Sequence, residues 1–199
     1  MGNLGFFSGL SSWVQPYGVQ HFVETGTSGG AAVALAATLP FRSIASIDLS
    51  QAVVDQARTQ FASDPRISIY QGDSAVVLPT VLQMLDGASL LCWLDAHYPQ
   101  MYGMADQGTM LPLEQELLAL FDYPGIATSG ILIDDVWCYE FEGEQVPGNF
   151  PGETPHAKKS PSLLDDTAVL LRDSHVVLRS PAEQGYAAIL PISWGVEAI

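Results

Sequence analysis

Basic residues are scarce. Lys and Arg number 7 against 22 Asp and Glu, which leaves the 199-residue chain with a formal net charge of −15. A field of that sign repels phosphate backbones and anionic headgroups, so nucleic acid and membrane surfaces are poor partners. The single basic pair, Lys158 and Lys159, stands in a Pro/Gly-rich stretch and reads as solvated loop charge. Cysteine is rarer still: Cys92 lies in an apolar run and Cys138 far along the chain. Such thiols form no CxxC pair and no metal-ligand spacing, which excludes a disulfide framework or zinc ribbon and fits a reducing compartment, the cytoplasm. Long apolar runs are missing too. The longest, residues 31–41, falls well short of the roughly 20 residues that a membrane-spanning helix needs. No Lys or Arg precedes the apolar residues of MGNLGFFSGL, and Phe6 stands where a myristoylation signal requires Ser or Thr. Neither secretion nor lipid anchoring is therefore expected.

What remains is an apolar, lightly charged chain, 48% hydrophobic and 15% charged, long enough to bury one sizeable core. It is read as one domain over residues 1–199 with no internal repeat, and nothing in it states an oligomeric order. Continuous apolar runs of β type occupy residues 20–24, 43–48, 67–71, 89–95 and 130–134. Runs that do not alternate suit strands buried on both faces of a parallel sheet. Helix-like segments separate them at 29–38, 51–61, 74–85 and 112–121. Strand and helix alternate, so the chain is expected to be an α/β doubly wound, mostly parallel sheet with right-handed crossovers. Ser50 is placed to cap the second helix, Ser160-Pro161 has the order of a cap followed by a first-turn proline, and Asp86-Gly87 stops the third helix. Pro79 should bend or shorten that third helix. The tail HVVLRS, PAEQ, GYAAILP reads as a C-terminal hairpin that adds an antiparallel strand to the sheet edge. Residues 139–160 carry no period and read as a long loop with the makings of a lid.

The segment HFVETGTSGGAAVALAA is a strand, a glycine turn and an Ala-rich helix in succession. Gly26, Gly29 and Gly30 fall where the backbone must turn sharply and approach a ligand closely. Asp48 closes the next strand, 22 residues after Gly26, where a carboxylate can accept both hydroxyls of a ribose. Glu24 precedes the glycines, a place where a nicotinamide-type turn needs no acid; a carboxylate there suits the amino group of a methionine moiety. The third strand ends in QGDS, which puts Asp73 and Ser74 on the adenine side of the crevice.

Here the chain resembles the class I S-adenosylmethionine-dependent methyltransferases. ETGTSGG is similar to their E/D-x-G-x-G-x-G motif with Ser28 in place of the middle glycine, a relaxed form found in the catechol and macrocin O-methyltransferase groups; IDLS and QGDS resemble the ribose and adenine motifs. The resemblance implies a Rossmann-like methyltransferase fold, S-adenosylmethionine as cofactor, and cofactor contacts at Glu24, Gly26, Thr27, Ser28, Gly30, Asp48, Leu49, Asp73, Ser74 and Asp95.

Strands four and five end WLDAHY and ILIDDVW. Neighbouring strands lie roughly 4.8 Å apart, so Asp95, Asp134 and Asp135 would meet at one rim. Carboxylates that close need a cation, a proton or a basic partner, and with few Lys or Arg a hard divalent ion such as Mg²⁺ suits an all-oxygen set. Asp134 and Asp135 could also simply end a strand and cap the next turn. The metal-dependent small-molecule O-methyltransferases carry Mg²⁺-binding acids at these three positions, which implies a metal that lowers the pKa of a substrate hydroxyl and aligns it with the sulfonium methyl. His97 is the candidate base, and two residues beyond Asp95 it could also reach the metal site; the catechol-type Lys is replaced by Tyr98. Tyr98, Tyr102, Trp137, Tyr139 and Phe141 could rim a small-molecule substrate, and His156 could serve a lid. Three other readings stay open: a nicotinamide-dependent oxidoreductase, a nucleotide-sugar transferase with Asp95-Ala96-His97 as its DxH motif, and a non-catalytic module of the same fold.

Overall fold

The computed structural model describes residues 10–97, 108–109, 111–136, 163–179 and 185–196. Seven strands form one sheet: β1 (His21–Thr25), β2 (Ser43–Asp48), β3 (Ile67–Gln71), β4 (Leu90–Leu94), β5 (Gly130–Ile133), β6 (His175–Arg179) and β7 (Ala187–Pro191), in spatial order β3-β2-β1-β4-β5-β7-β6. The first five run parallel; β7 lies antiparallel to both β5 and β6. The hairpin therefore adds its antiparallel strand to the parallel sheet at β5, with β6 outermost. Burial follows position. β1, β4, β5 and β7 are buried at every residue, whereas the outer strands β3 and β6 are partly exposed. That is why the central strands read as unbroken apolar runs.

Helices cover both faces: α1 (Leu10–Val14), α2 (Ala31–Ala37), α3 (Gln51–Gln60), α4 (Ser74–Gln83), α5 (Leu113–Phe121) and α6 (Leu163–Leu171). Alternation along each strand splits the core. Phe22, Ile44, Leu91, Trp93 and Leu132 pack with α1, α2 and α3, while Val23, Ala45, Cys92, Leu94 and Ile131 pack with α4, α5 and α6. Ser50 accepts the Val53 N–H as the predicted cap of α3. Asp86 and Gly87, both at positive φ, follow α4 as its stop. Pro79 does not break α4, which runs on to Gln83, two residues short of the expected end. The buried contacts of Leu78, Val81 and Leu82 outweigh one missing backbone hydrogen bond. Among the described residues no helix is long and apolar enough to cross a membrane. The Ser160-Pro161 cap, the PAEQ turn, Cys138, the basic pair and the loop 139–160 lie outside the described residues.

Candidate active site

Strand order reverses between β1 and β4, with β2 on one side and β5 on the other. Crevices in open α/β sheets form at such a point, beyond the carboxyl ends of the strands. A cavity of about 200 Å³ opens there, its walls including Gly26, Ser28, Asp48, Asp73, Asp95, His97 and Asp135. Gly26 has φ +86, and a Cβ on it would sit 2.5 Å from the Asp95 carbonyl oxygen. Only glycine fits between β1 and the chain leaving β4. Ser28, in the place of the motif's middle glycine, adopts φ 45, so the turn keeps a left-handed residue there without glycine. Its N–H donates to Asp48 Oδ2 at 3.0 Å and the Ser50 N–H donates to Oδ1 at 2.8 Å. Each Asp48 oxygen has one such bond, and a carboxylate oxygen accepts two. The far end is closed by Thr109, whose N–H and hydroxyl donate to Asp73 Oδ2 at 2.6 and 2.8 Å, while Asp73 Oδ1 caps α4 through the Ala75 N–H.

At the β4–β5 side His97 stands between two carboxylates, with Nδ1 3.6 Å from Asp95 Oδ1 and Nε2 3.1 Å from Asp135 Oδ2. Burial alone would lower the His97 pKa, but the Asp135 hydrogen bond and the charges of Asp95, Asp135 and Asp134 raise it above its ordinary value. Burial pushes Asp95 up to about 6, with the His97 charge opposing and the Asp135 charge adding. Asp134 rises to about 7 through burial and then through Asp95 and Asp135. Protons are favoured at three groups because negative charge is crowded where water is scarce.

One donor atom each from Asp95, His97 and Asp135 lies within 4.8 Å of the others, a spacing that fits ligands around one cation at roughly 2.0–2.6 Å. The group differs from the expected trio in having His97 where Asp134 was expected. Asp134 turns its Oδ1 back to the Asp135 N–H at 2.8 Å and does not line the cavity, whereas Asp135, at φ 51, does. Consecutive residues at a strand end leave in different directions, so one of the pair faces the cavity and His97 supplies the third donor.

Solved structures share this architecture. A protein from Staphylococcus aureus assigned as a caffeoyl-CoA O-methyltransferase matches with TM-score 0.61 and 10% identity, covering 96% of this chain and 85% of that one. One from Klebsiella pneumoniae assigned as an O-methyltransferase gives 0.55 and 16%, covering 96% and 81%. The Bacillus cereus O-methyltransferase in complex with SAH gives 0.51 and 19%, covering 96% and 82%. The fold is that of the class I methyltransferases. Compared by sequence, the chain matches no family model and no curated protein.

Within this methyltransferase fold the structure brings Gly26, Ser28, Asp48, Leu49, Asp73, Ser74, Asp95, His97 and Asp135 to one cavity. Three expected cofactor contacts, Glu24, Thr27 and Gly30, do not line it. Glu24 is 2% exposed and alternates onto the face packed with α2 and α3. It accepts the Ser46 hydroxyl at 2.5 Å, and Ser46 in turn pairs with Thr27 at 2.6 Å. Burial drives the Glu24 pKa well above the usual carboxyl range, the Ser46 bond offsetting part of the shift and the charges of Asp95 and Asp48 adding to it. Gly30, at φ +74, caps α2 with the Phe61 ring where a side chain would go. The candidate rim aromatics Tyr98, Tyr102, Trp137, Tyr139 and Phe141, and His156, lie outside the described residues.

Thr109 at the cavity wall and Glu116 behind it were not anticipated. Thr109 has no local motif to mark it. Glu116 has one: Leu113, Glu116, Leu117 and Leu120 form the buried stripe of α5, and an acid at such a position is anomalous. Glu116 is 1% exposed. Its polar neighbours are the hydroxyls of Ser74 and Thr25, yet neither carboxyl oxygen nor the Thr25 hydroxyl meets a partner in hydrogen-bond geometry among the described residues. Burial raises its pKa to about 7, with the two hydroxyls offsetting part of the rise.

Proposed function

We propose that the chain is an S-adenosylmethionine-dependent methyltransferase that methylates a hydroxyl oxygen of a small molecule with the help of a divalent cation. One observation carries the reading: a single cavity joins the glycine cradle and Asp48 to the Asp95/His97/Asp135 cluster. The cradle suits the cofactor. Gly26 lets an adenosyl group approach the backbone, and the remaining lone pairs of Asp48 accept the ribose hydroxyls. Likeness to methyltransferases of the same fold, one of them an SAH complex, supports the same placement.

The cluster suits the cation. Asp95, His97 and Asp135 would hold it, and two oxygens with one imidazole nitrogen accept Mn²⁺ as readily as Mg²⁺. A divalent ion at that place supplies Lewis acidity toward a coordinated hydroxyl. A protonated His97 offsets part of the charge of its two carboxylate neighbours and must give up that proton to serve as a ligand, since only a neutral imidazole binds metal. The net charge of −15 weighs against a nucleic-acid substrate and for a small one.

Calorimetric titration with adenosylhomocysteine and with NAD, each with and without Mn²⁺, tests the reading. Binding of adenosylhomocysteine alone, accompanied by metal binding that releases protons, is the expected result. NAD binding without adenosylhomocysteine binding would overturn it.

A further inference from the structure

An acid sealed inside an apolar helix stripe, with both oxygens unmatched among the described residues, costs stability that a leucine at the same place would not. Glu116 sits against one wall residue of the cavity: Ser74 is its neighbour and also lines the cavity. We propose that Glu116 is a positioning residue that sets, through the Ser74 hydroxyl, whether the cavity offers a hydrogen-bond donor or an acceptor to the edge of a bound purine. This rests on the reading that an adenosyl group occupies the cavity.

The logic is that of a hydroxyl with one hydrogen to give. A protonated Glu116 donates to Ser74 Oγ, and the Ser74 hydrogen is released toward the cavity, where an unprotonated ring nitrogen of adenine can accept it. An ionised Glu116 instead takes the Ser74 hydrogen and leaves Oγ lone pairs facing the cavity, which suits a ring N–H. The Thr25 hydroxyl, also without a partner in geometry among the described residues, is the carboxyl's other polar neighbour. The titratable groups acting on Glu116 are Asp73 at the head of α4, His97 after β4 and Cys92 within β4. Its pKa near 7 puts both states within reach of ordinary conditions.

The test compares two ligands on the whole chain: adenosylhomocysteine, whose ring N1 accepts, and its deaminated hypoxanthine analogue, whose N1–H donates. Affinities are measured by calorimetry between about pH 5.5 and about pH 8.5 for the wild type, E116Q and S74A. The ratio of the two affinities cancels pH effects common to both ligands, including those from Asp73 and His97. In the wild type the preference for adenine should fall about five- to ten-fold as pH rises through 7, one neutral hydrogen bond being worth about that factor. In E116Q and S74A the ratio should be flat, while both variants still bind. A wild-type ratio independent of pH, or an E116Q ratio that follows the wild type, overturns this inference and leaves the proposed function standing. Failure of the wild type to bind either ligand overturns both.

Discussion

Replacing Glu116 by Gln removes one buried acid without changing its shape, and its effect on stability follows from a single proton. The folded chain holds that proton to a pKa of about 7 against an ordinary value of 4.5, because a carboxylate there loses its water and the Ser74 and Thr25 hydroxyls and the His97 charge offset only part of that loss. A folded-state pKa above the unfolded one means that the proton adds stability, which is complete below about pH 4.5 and is lost as pH rises through about 7. At about 1.4 kcal/mol per pH unit the shift amounts to about 3 kcal/mol. The amide costs the same at every pH, so the difference between E116Q and wild type isolates the acid. Urea denaturation followed by tryptophan fluorescence at a series of pH values reads it directly. The stability of E116Q relative to wild type should climb by about 3 kcal/mol from about pH 4.5 to about pH 8. Parallel curves, with a difference constant to within about 0.5 kcal/mol, would refute the claim that Glu116 is a buried group titrating near neutrality.

Other substitutions test the remaining site. Asp135→Ala should weaken Mn²⁺ binding by more than about 100-fold, while Asp134→Asn should weaken it by about ten-fold or less, since its carboxyl braces the Asp135 backbone from behind; Mn²⁺ paramagnetic resonance distinguishes the two. Gly26→Ala should cost about 2–4 kcal/mol and abolish adenosylhomocysteine binding, because the new methyl would meet the Asp95 carbonyl at a positive φ; denaturation and calorimetry report on each. Ser28→Gly should raise stability by about 0.5 kcal/mol, as relief of left-handed strain slightly exceeds the added chain entropy, and should keep ligand affinity because the N–H to Asp48 is a backbone bond. Asp48→Ala should lower adenosylhomocysteine affinity by about 10- to 100-fold in calorimetry, the loss of charge-assisted bonds to the ribose.

The five parallel strands and the cradle were legible because each rests on local chemistry: unbroken apolar runs for strands covered on both faces, and glycines where the backbone must turn. Orientation was less legible. Glu24 and Thr27 belong to the motif by position, but strand alternation and a shared serine, Ser46, turn them behind the cavity. Choosing between Asp134 and Asp135 required the left-handed turn at Asp135, which no neighbouring glycine announces. Pro79 is held inside α4 because helix propensity is weak against the packing of Leu78, Val81 and Leu82. Glu116 stayed hidden among Glu114, Gln115 and Glu116, three polar residues in a row, only one of which shares the spacing of the leucines.

The place of β7 bears on how the protein is made. Among the described residues β6 pairs with no strand except β7, and β7 alone closes the flank of β5. A chain emerging from the ribosome can lay down its first five strands in order, yet its sixth has nowhere to dock until the seventh has left the tunnel and slid between them. Until that moment β5 presents a bare row of amides and carbonyls to whatever strand is nearby. Chains halted before residue 187 should therefore call on chaperones or clump, even though every side chain lining the cavity has already been synthesised.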